Sequence, residues 1–262
     1  MYQMLQIAES DGVVTVTMNR PERRNALNPQ LMDELQAVLD GLALRSSGVM
    51  ILTGAGSAFC AGLDLEHLQA LREKTAQEHR EDSERIARLF RTLYDLPLPT
   101  IAAVNGHAIA GGMGLATICD FTLAAPDAKF GYTEARIGFV PAIVSSFLIL
   151  QVGEKAARDL LLTARLIAAE EALRMGLVNE TPPREQLAAR AMELAQRLLQ
   201  NSPESLRATK KLLSSHTRER LDRELAAAVD WNASARGTGD FQEGISAFLA
   251  KRAPAWPSLR RN

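Results

Sequence analysis

Hydrophobic and polar positions change their spacing several times along this chain. The partly alternating, β-branched run GVVTVTM (12–18) predicts a strand. Beyond the polar NRPERRNAL loop the period lengthens, with Leu31, Leu35, Val38 and Leu42 at helical spacing. Asn28 and Pro29 start that helix, and Asp33 and Glu34 carry charge in its favourable first turn. GVMILTG (48–54), an apolar run bounded by glycines, reads as a buried strand, and the heavily charged 66–94 as a long helix with solvated faces. PTIAAVNG (99–106) and DFTLAA (120–125) predict further strands. From about residue 140 strands nearly vanish, and EKAARDLLLTA, AAEEALRMG, REQLAARAMELAQRLLQ, SPESLRATKKLLSS and RELAAAVDWNASA all read as helices. Three strand–turn–helix units in the first half predict an α/β core with parallel strands. The expected division is a core over 1–195 and a helical region over 196–262, with no low-complexity linker between them.

Composition narrows the partners. A chain of 262 residues can bury a large core, and 23% charged residues is ordinary for a soluble protein. A net charge of −1 supplies no field that would draw it to nucleic acid or anionic lipid. Cys60 and Cys119 form neither a disulfide framework nor a metal-ligand spacing, so no metal is expected. Residues 96–119 lack Asp, Glu, Lys and Arg, a length that raises the question of a membrane span. Pro97, Pro99, Asn105, His107 and the glycines break that run into strand, turn and helix. The start, MYQMLQIAESDGVV, has no basic region followed by an apolar core, and a cytoplasmic enzyme is expected.

The chemistry concentrates in NGHAIAGGMGLATICD (105–120), with four glycines in its first ten residues. A strand ending at Asn105–Gly106 and glycines entering a helix leave free backbone N–H groups at a helix N-terminus, where negative charge is favoured. Without a Cβ, a ligand oxygen can approach the amide. Neither the phosphate-loop lysine nor a clean GxGxxG is present, so nucleotide phosphate is not the obvious anion. Tight packing of helix on strand is the competing use of these glycines. AFCAGLDL (58–65) is a second small-residue turn after a buried strand, and two such turns can aim one amide each at a developing oxyanion.

Six segments, NRPERRNAL, ILTGAGSAFCAGLDL, PTIAAVNGHAIAGGMGLATICD, AKFGYTEARIGFVP, ARDLLLTARLIAAEEALRMGLVNE and FLAKRAP, occur in that order over nearly the whole chain. In them the chain resembles the crotonase superfamily, the enoyl-CoA hydratase/isomerase family. The resemblance implies an α/β spiral of ββα repeats with a helical C-terminal trimerisation region, assembled as a homotrimer or a dimer of trimers. It implies an acyl-CoA substrate, with no cofactor beyond the coenzyme A that the substrate carries. By position in the motifs, the amides of Leu63 and Gly111 would hold the thioester oxygen. Arg24 would meet a phosphate of coenzyme A, with Lys251 and Arg252 as further basic contacts. Ala61, Asp64, Leu65 and Gly114 would border the same substrate, Asp64 also bracing its turn.

The resemblance also raises a question about acid–base groups. Family hydratases carry two glutamates; the second matches Glu134, whereas the position of the first is Gly114. Two carboxyl groups flanking one water suit hydration, whereas moving a double bond needs one base and an oxyanion hole. Some family isomerases keep only the glutamate equivalent to Glu134, and AGLDL resembles their turn. The principal expectation is therefore isomerisation of a 3-enoyl-CoA to a 2-enoyl-CoA, with hydration of a 2-enoyl-CoA (of the enoyl-CoA or methylglutaconyl-CoA type) as the alternative. Phe130, Ile137, Phe139 and Val140 supply apolar bulk around Glu134, and burial would raise its pKa. Ile143 and Val144 replace a glycine-rich segment and would reshape the acyl pocket. Ala142 stands where family dehalogenases place an aspartate, which argues against that reaction. Tyr132, Glu66, His67 and His107 are the groups that could replace the absent carboxyl; structural or solvent-facing roles suit them better. The basic stretch 207–223 is the sole support for a non-catalytic, RNA-binding member, and its interspersed acids read as a solvated helix face.

Overall fold

The computed structural model describes residues 2–260. Strands β1 (Leu5–Ser10) and β2 (Val13–Met18) form a hairpin, and α1 (Pro29–Ala43) follows with Asn28 as its cap, accepting from Leu31 N. The chain then coils. β3 (Val49–Gly54) and β4 (Ala58–Cys60) lead to α2 (Leu65–Leu71) and α3 (Ala76–Asp95). β5 (Thr100–Val104) and β6 (His107–Ile109) lead to α4 (Gly111–Ile118). β7 (Phe121–Ala124) and β8 (Lys129–Gly131) lead to α5 (Ala142–Thr163). β9 (Ile167–Ala168), α6 (Ala169–Arg174), α7 (Leu187–Leu199), α8 (Pro203–Ser215), α9 (Arg218–Arg236) and α10 (Gly239–Leu249) complete the order.

Each coil gives one strand to each of two sheets. One sheet runs β1-β2-β3-β5-β7 and the other β4-β6-β8-β9; β1–β2 and β8–β9 are antiparallel and the rest parallel. This is the expected spiral of ββα turns with a helical C-terminal region. The uninterrupted apolar character of β3 and β5 follows from cover on both faces. One face meets the main core, whereas Ile51, Ile101 and Ala103 on the other pack against Leu187, Ala191 and Ala195 of α7. Residues 195 and 196 thus lie within a single helix, and α9 packs against α3 and α5.

Two helices depart from the periodicity. The charged 66–94 segment is broken after α2, because Thr75 starts a new helix through a reciprocal capping box with Glu78. Helix α5 is interrupted at Gly153, where φ is 74°. A buried polar cluster ties α2, α3 and α9 together. Asp82 accepts from His67 Nε2 at 2.9 Å and from Arg236 Nη1 at 2.7 Å, and Arg236 is fully buried. Burial pushes the Asp82 carboxyl up, but the His67 hydrogen bond and the Arg236 charge outweigh it and leave the pKa at about 2. No helix among the described residues is long and apolar enough to cross a membrane, and none of their His, Cys, Asp and Glu side chains cluster as a metal site.

Candidate active site

A cavity of about 760 Å³ opens between the turns that follow β4 and β6 and the helices α3, α5, α9 and α10. Leu63, Gly111 and Glu134 all reach its wall.

The two amides come from interlocked turns. Leu27 N donates to Gly62 O at 2.7 Å and Asp64 N donates to Leu27 O at 2.8 Å, so the intervening Leu63 N–H faces away from that bridge. Gly111 is the first residue of α4, where an N–H has no partner within the helix. Among the described residues neither amide finds an acceptor. The peptide that presents Gly111 is turned by Ala110, which takes φ 52° and ψ −124°, an uncommon conformation for a residue with a Cβ. Gly131 O, accepting from Ala110 N at 2.7 Å, helps hold it there. A Cβ on Gly62 would lie 2.9 Å from Ala110 Cβ, and one on Gly112 would run into the Cys60 carbonyl. The glycines therefore serve the packing of turn on turn, and that packing brings the turns that carry Leu63 and Gly111 to one cavity wall. Gly112→Ala is expected to force the turns apart and lower kcat by about 10²-fold or more, the loss typical of one oxyanion donor, as read by steady-state kinetics.

Asn25 locks the neighbouring loop, a role that sequence reasoning missed. It is fully buried in a left-handed conformation, accepts from Arg20 N at 2.9 Å, and donates to Ala55 O at 2.9 Å and Ala58 O at 2.8 Å. Asparagine tolerates that backbone and carries both a donor and an acceptor. Next to it, Arg24 is exposed on the cavity wall with no ion-pair partner among the described residues. Its position leaves a cation available at the mouth.

Glu134 begins a single 3-10 turn, Glu134–Ile137, closed by Phe139 N donating to Glu134 O at 3.0 Å. Only 8% of the residue is exposed, and its Oε2 has no partner. Burial pushes the carboxyl from 4.5 up to about 7, opposed slightly by a hydrogen bond from its own backbone.

The remaining candidates divide. Ala61 and Leu65 lie in the wall. Asp64 also borders it, but its carboxylate is engaged by Arg20 at 2.9 Å and by Glu66 N at 2.9 Å, a cap and brace. Arg252 reaches the wall while paired with Glu243 at 2.9 Å; Lys251 does not reach it. Gly114, expected beside the substrate, is absent from the wall. A Cβ there would lie 2.8 Å from Val144 Cγ1 and 2.9 Å from Phe90 Cε2, so those two side chains close the space. Tyr132 is buried with its hydroxyl 3.4 Å from Thr117 Oγ1 and does not reach the cavity wall. Glu66 pairs with Arg23 at 2.6 Å on the surface, and His67 belongs to the Asp82 cluster. His107 stands exposed at the cavity edge, accepting from Lys129 N at 3.3 Å. In the basic stretch, Lys210, Arg218 and Arg220 each pair with a carboxylate.

Known proteins share this architecture. The family described as enoyl-CoA hydratase/isomerase matches residues 8–259. A Thermus thermophilus protein provisionally named enoyl-CoA hydratase is 46% identical over 253 residues, covering 96% of this chain and 99% of its own. Crotonyl-CoA hydratase from Syntrophomonas wolfei is 34% identical, covering 96% of each chain. The crystal structure of an enoyl-CoA hydratase from Mycobacterium avium matches with a TM-score of 0.86 at 32% identity, over 97% of this chain and 99% of that one.

Proposed function

The chain belongs to the enoyl-CoA hydratase/isomerase family, and on that premise we propose that Glu134 moves a proton at the α-carbon of an enoyl-CoA thioester. The thioester oxygen accepts hydrogen bonds from the Leu63 and Gly111 amides, which hold the negative charge of the enolate as it forms. Glu134 takes the proton, and its burial weakens it as an acid toward neutrality, where one group can both accept and return a proton. With one carboxyl, the reaction completed unaided is isomerisation: removal of the α-proton of a 3-enoyl-CoA and its return at the γ-carbon. The observation that carries this reading is the buried, unpartnered Glu134 in the cavity wall, with no second carboxyl at Gly114, where Phe90 and Val144 already fill the space.

Hydration of a 2-enoyl-CoA is the second reading, and the names of the relatives support it better than they support isomerisation. In it Glu134 alone would deprotonate the water and protonate the α-carbon. Purified protein given a 3-enoyl-CoA and a 2-enoyl-CoA separately, with products resolved by chromatography, decides between them. In either case kcat/KM is expected to rise with pH along an acid limb centred at about 7, since the base works only when ionised. A limb near 4.5 would show that the working base is a solvated carboxyl instead.

We infer that Arg24 and Arg252, both in the cavity wall, meet phosphates of coenzyme A, and that Ala61, Asp64 and Leu65 border the thioester arm. We also infer a homotrimer or a dimer of trimers. Trp231 is 67% exposed, Phe248 53% and Leu213 60%, apolar surface on the C-terminal helices that such an assembly would cover. Sedimentation velocity reads the mass directly, and a monomer at micromolar concentration would exclude it.

A further inference from the structure

One buried amide in the cavity wall has no part in the chemistry above. Asn232, on α9, is 4% exposed and lies in the same wall as Glu134. Its orientation is dictated from behind. Arg236 Nη2 lies 2.9 Å from Asn232 Oδ1, and a guanidinium can only donate, so the oxygen faces Arg236. The Ser83 hydroxyl lies 2.8 Å from the same oxygen and 2.8 Å from the His79 carbonyl, so its single proton is shared between the two acceptors. With Oδ1 turned to Arg236, Nδ2 is the atom left for other partners. Among the described residues its one hydrogen-bond acceptor is distant, Val140 O at 3.5 Å, and it has a second N–H to give. Much of the surrounding wall is hydrocarbon, including Ile86, Phe90, Val140, Ile143 and Val144.

We propose that Asn232 is a specificity-determining residue whose Nδ2 reads a neutral acceptor oxygen, hydroxyl or carbonyl, on the acyl chain of the substrate. A hydrocarbon chain would leave that N–H dry and unpaired, and a pocket built to pair with a substrate oxygen rejects analogues lacking it. The inference rests on the acyl-CoA reading and names the class of acyl group within it. The Arg236–Asp82–His67 cluster then has a local purpose, since it fixes which end of the amide the substrate meets.

The test compares hexanoyl-CoA with its 4-, 5- and 6-hydroxy derivatives by isothermal titration calorimetry, and the matching enoyl-CoA compounds in turnover. At least one hydroxylated compound is expected to bind tenfold or more tightly than the hydrocarbon. Asn232→Asp keeps the size and the acceptor toward Arg236 and Ser83 but removes the donor; it is expected to erase that ratio. Asn232→Leu should do the same, and thermal unfolding checks that each variant is folded. Equal binding of all compounds to the parent, or a preference that survives Asn232→Asp, would overturn the proposal. Discrimination in binding without turnover of any enoyl-CoA would instead sink the catalytic reading and leave this one standing.

Discussion

Replacing Glu134 with glutamine is expected to abolish most turnover while making the protein more stable above neutral pH. The activity loss should be about 10²–10⁴-fold in kcat, the usual contribution of one general acid–base group. The stability gain follows from linkage. Between pH 4.5 and about 7 the folded chain holds a proton on Glu134 that the unfolded chain has lost, so stability falls as pH rises through that window. Once the carboxylate is ionised inside the cavity wall, the cost is about 3 kcal/mol, at about 1.4 kcal/mol for each tenfold change in the proton equilibrium. The glutamine variant carries no such charge, so its advantage should be near zero at pH 4.5 and complete by about pH 8. Urea unfolding of both proteins at several pH values measures it. A variant that is less stable at every pH would mean that the carboxylate is compensated in the fold, and its role as a lone base would go with it.

Gly114→Glu should cost stability without conferring efficient hydration. Its Cβ would press on Val144 and Phe90, an overpacking that costs about 1–3 kcal/mol. The added carboxyl would also enter a buried position without a partner. Chemical denaturation reads the loss, expected at about 3 kcal/mol or more in sum. In a Phe90→Ala, Val144→Ala background the same glutamate gains room, and hydration of a 2-enoyl-CoA is expected to rise at least tenfold over that parent. If the single variant folds as well as the parent and hydrates rapidly, the space beside Gly114 is not closed, and the one-carboxyl argument fails.

The family resemblance implied the spiral, and local patterns marked many of its elements, but neither disclosed how distant segments pack. Strand-and-turn units and helix starts were legible because they depend on local signals, as with Asn28–Pro29 before α1. The break between α2 and α3 was hidden because charged residues continue across it and only the Thr75–Glu78 box interrupts the ladder. Glu134 was singled out by the family resemblance, and its apolar neighbours foretold its burial. The fate of Gly114 could not be foretold, because Phe90 and Val144 reach it from two other helices. The buried Asp82–Arg236 pair is 154 residues apart in the chain, beyond any local pattern. Asn25 left a faint trace in NRPERRNAL, yet its role depends on carbonyls of Ala55 in the β3–β4 turn and Ala58 at the start of β4.

The interlock of Gly62 with Ala110 has a kinetic consequence. Leu63 and Gly111 stand roughly fifty residues apart and belong to successive coils, so neither coil can assemble the pair of amides alone. During refolding, helical signal recovers as soon as segments coil locally, but catalytic competence must wait until the second coil has seated on the first. Regain of activity would therefore lag the recovery of ellipticity, and the delay would time the docking of one coil upon the next.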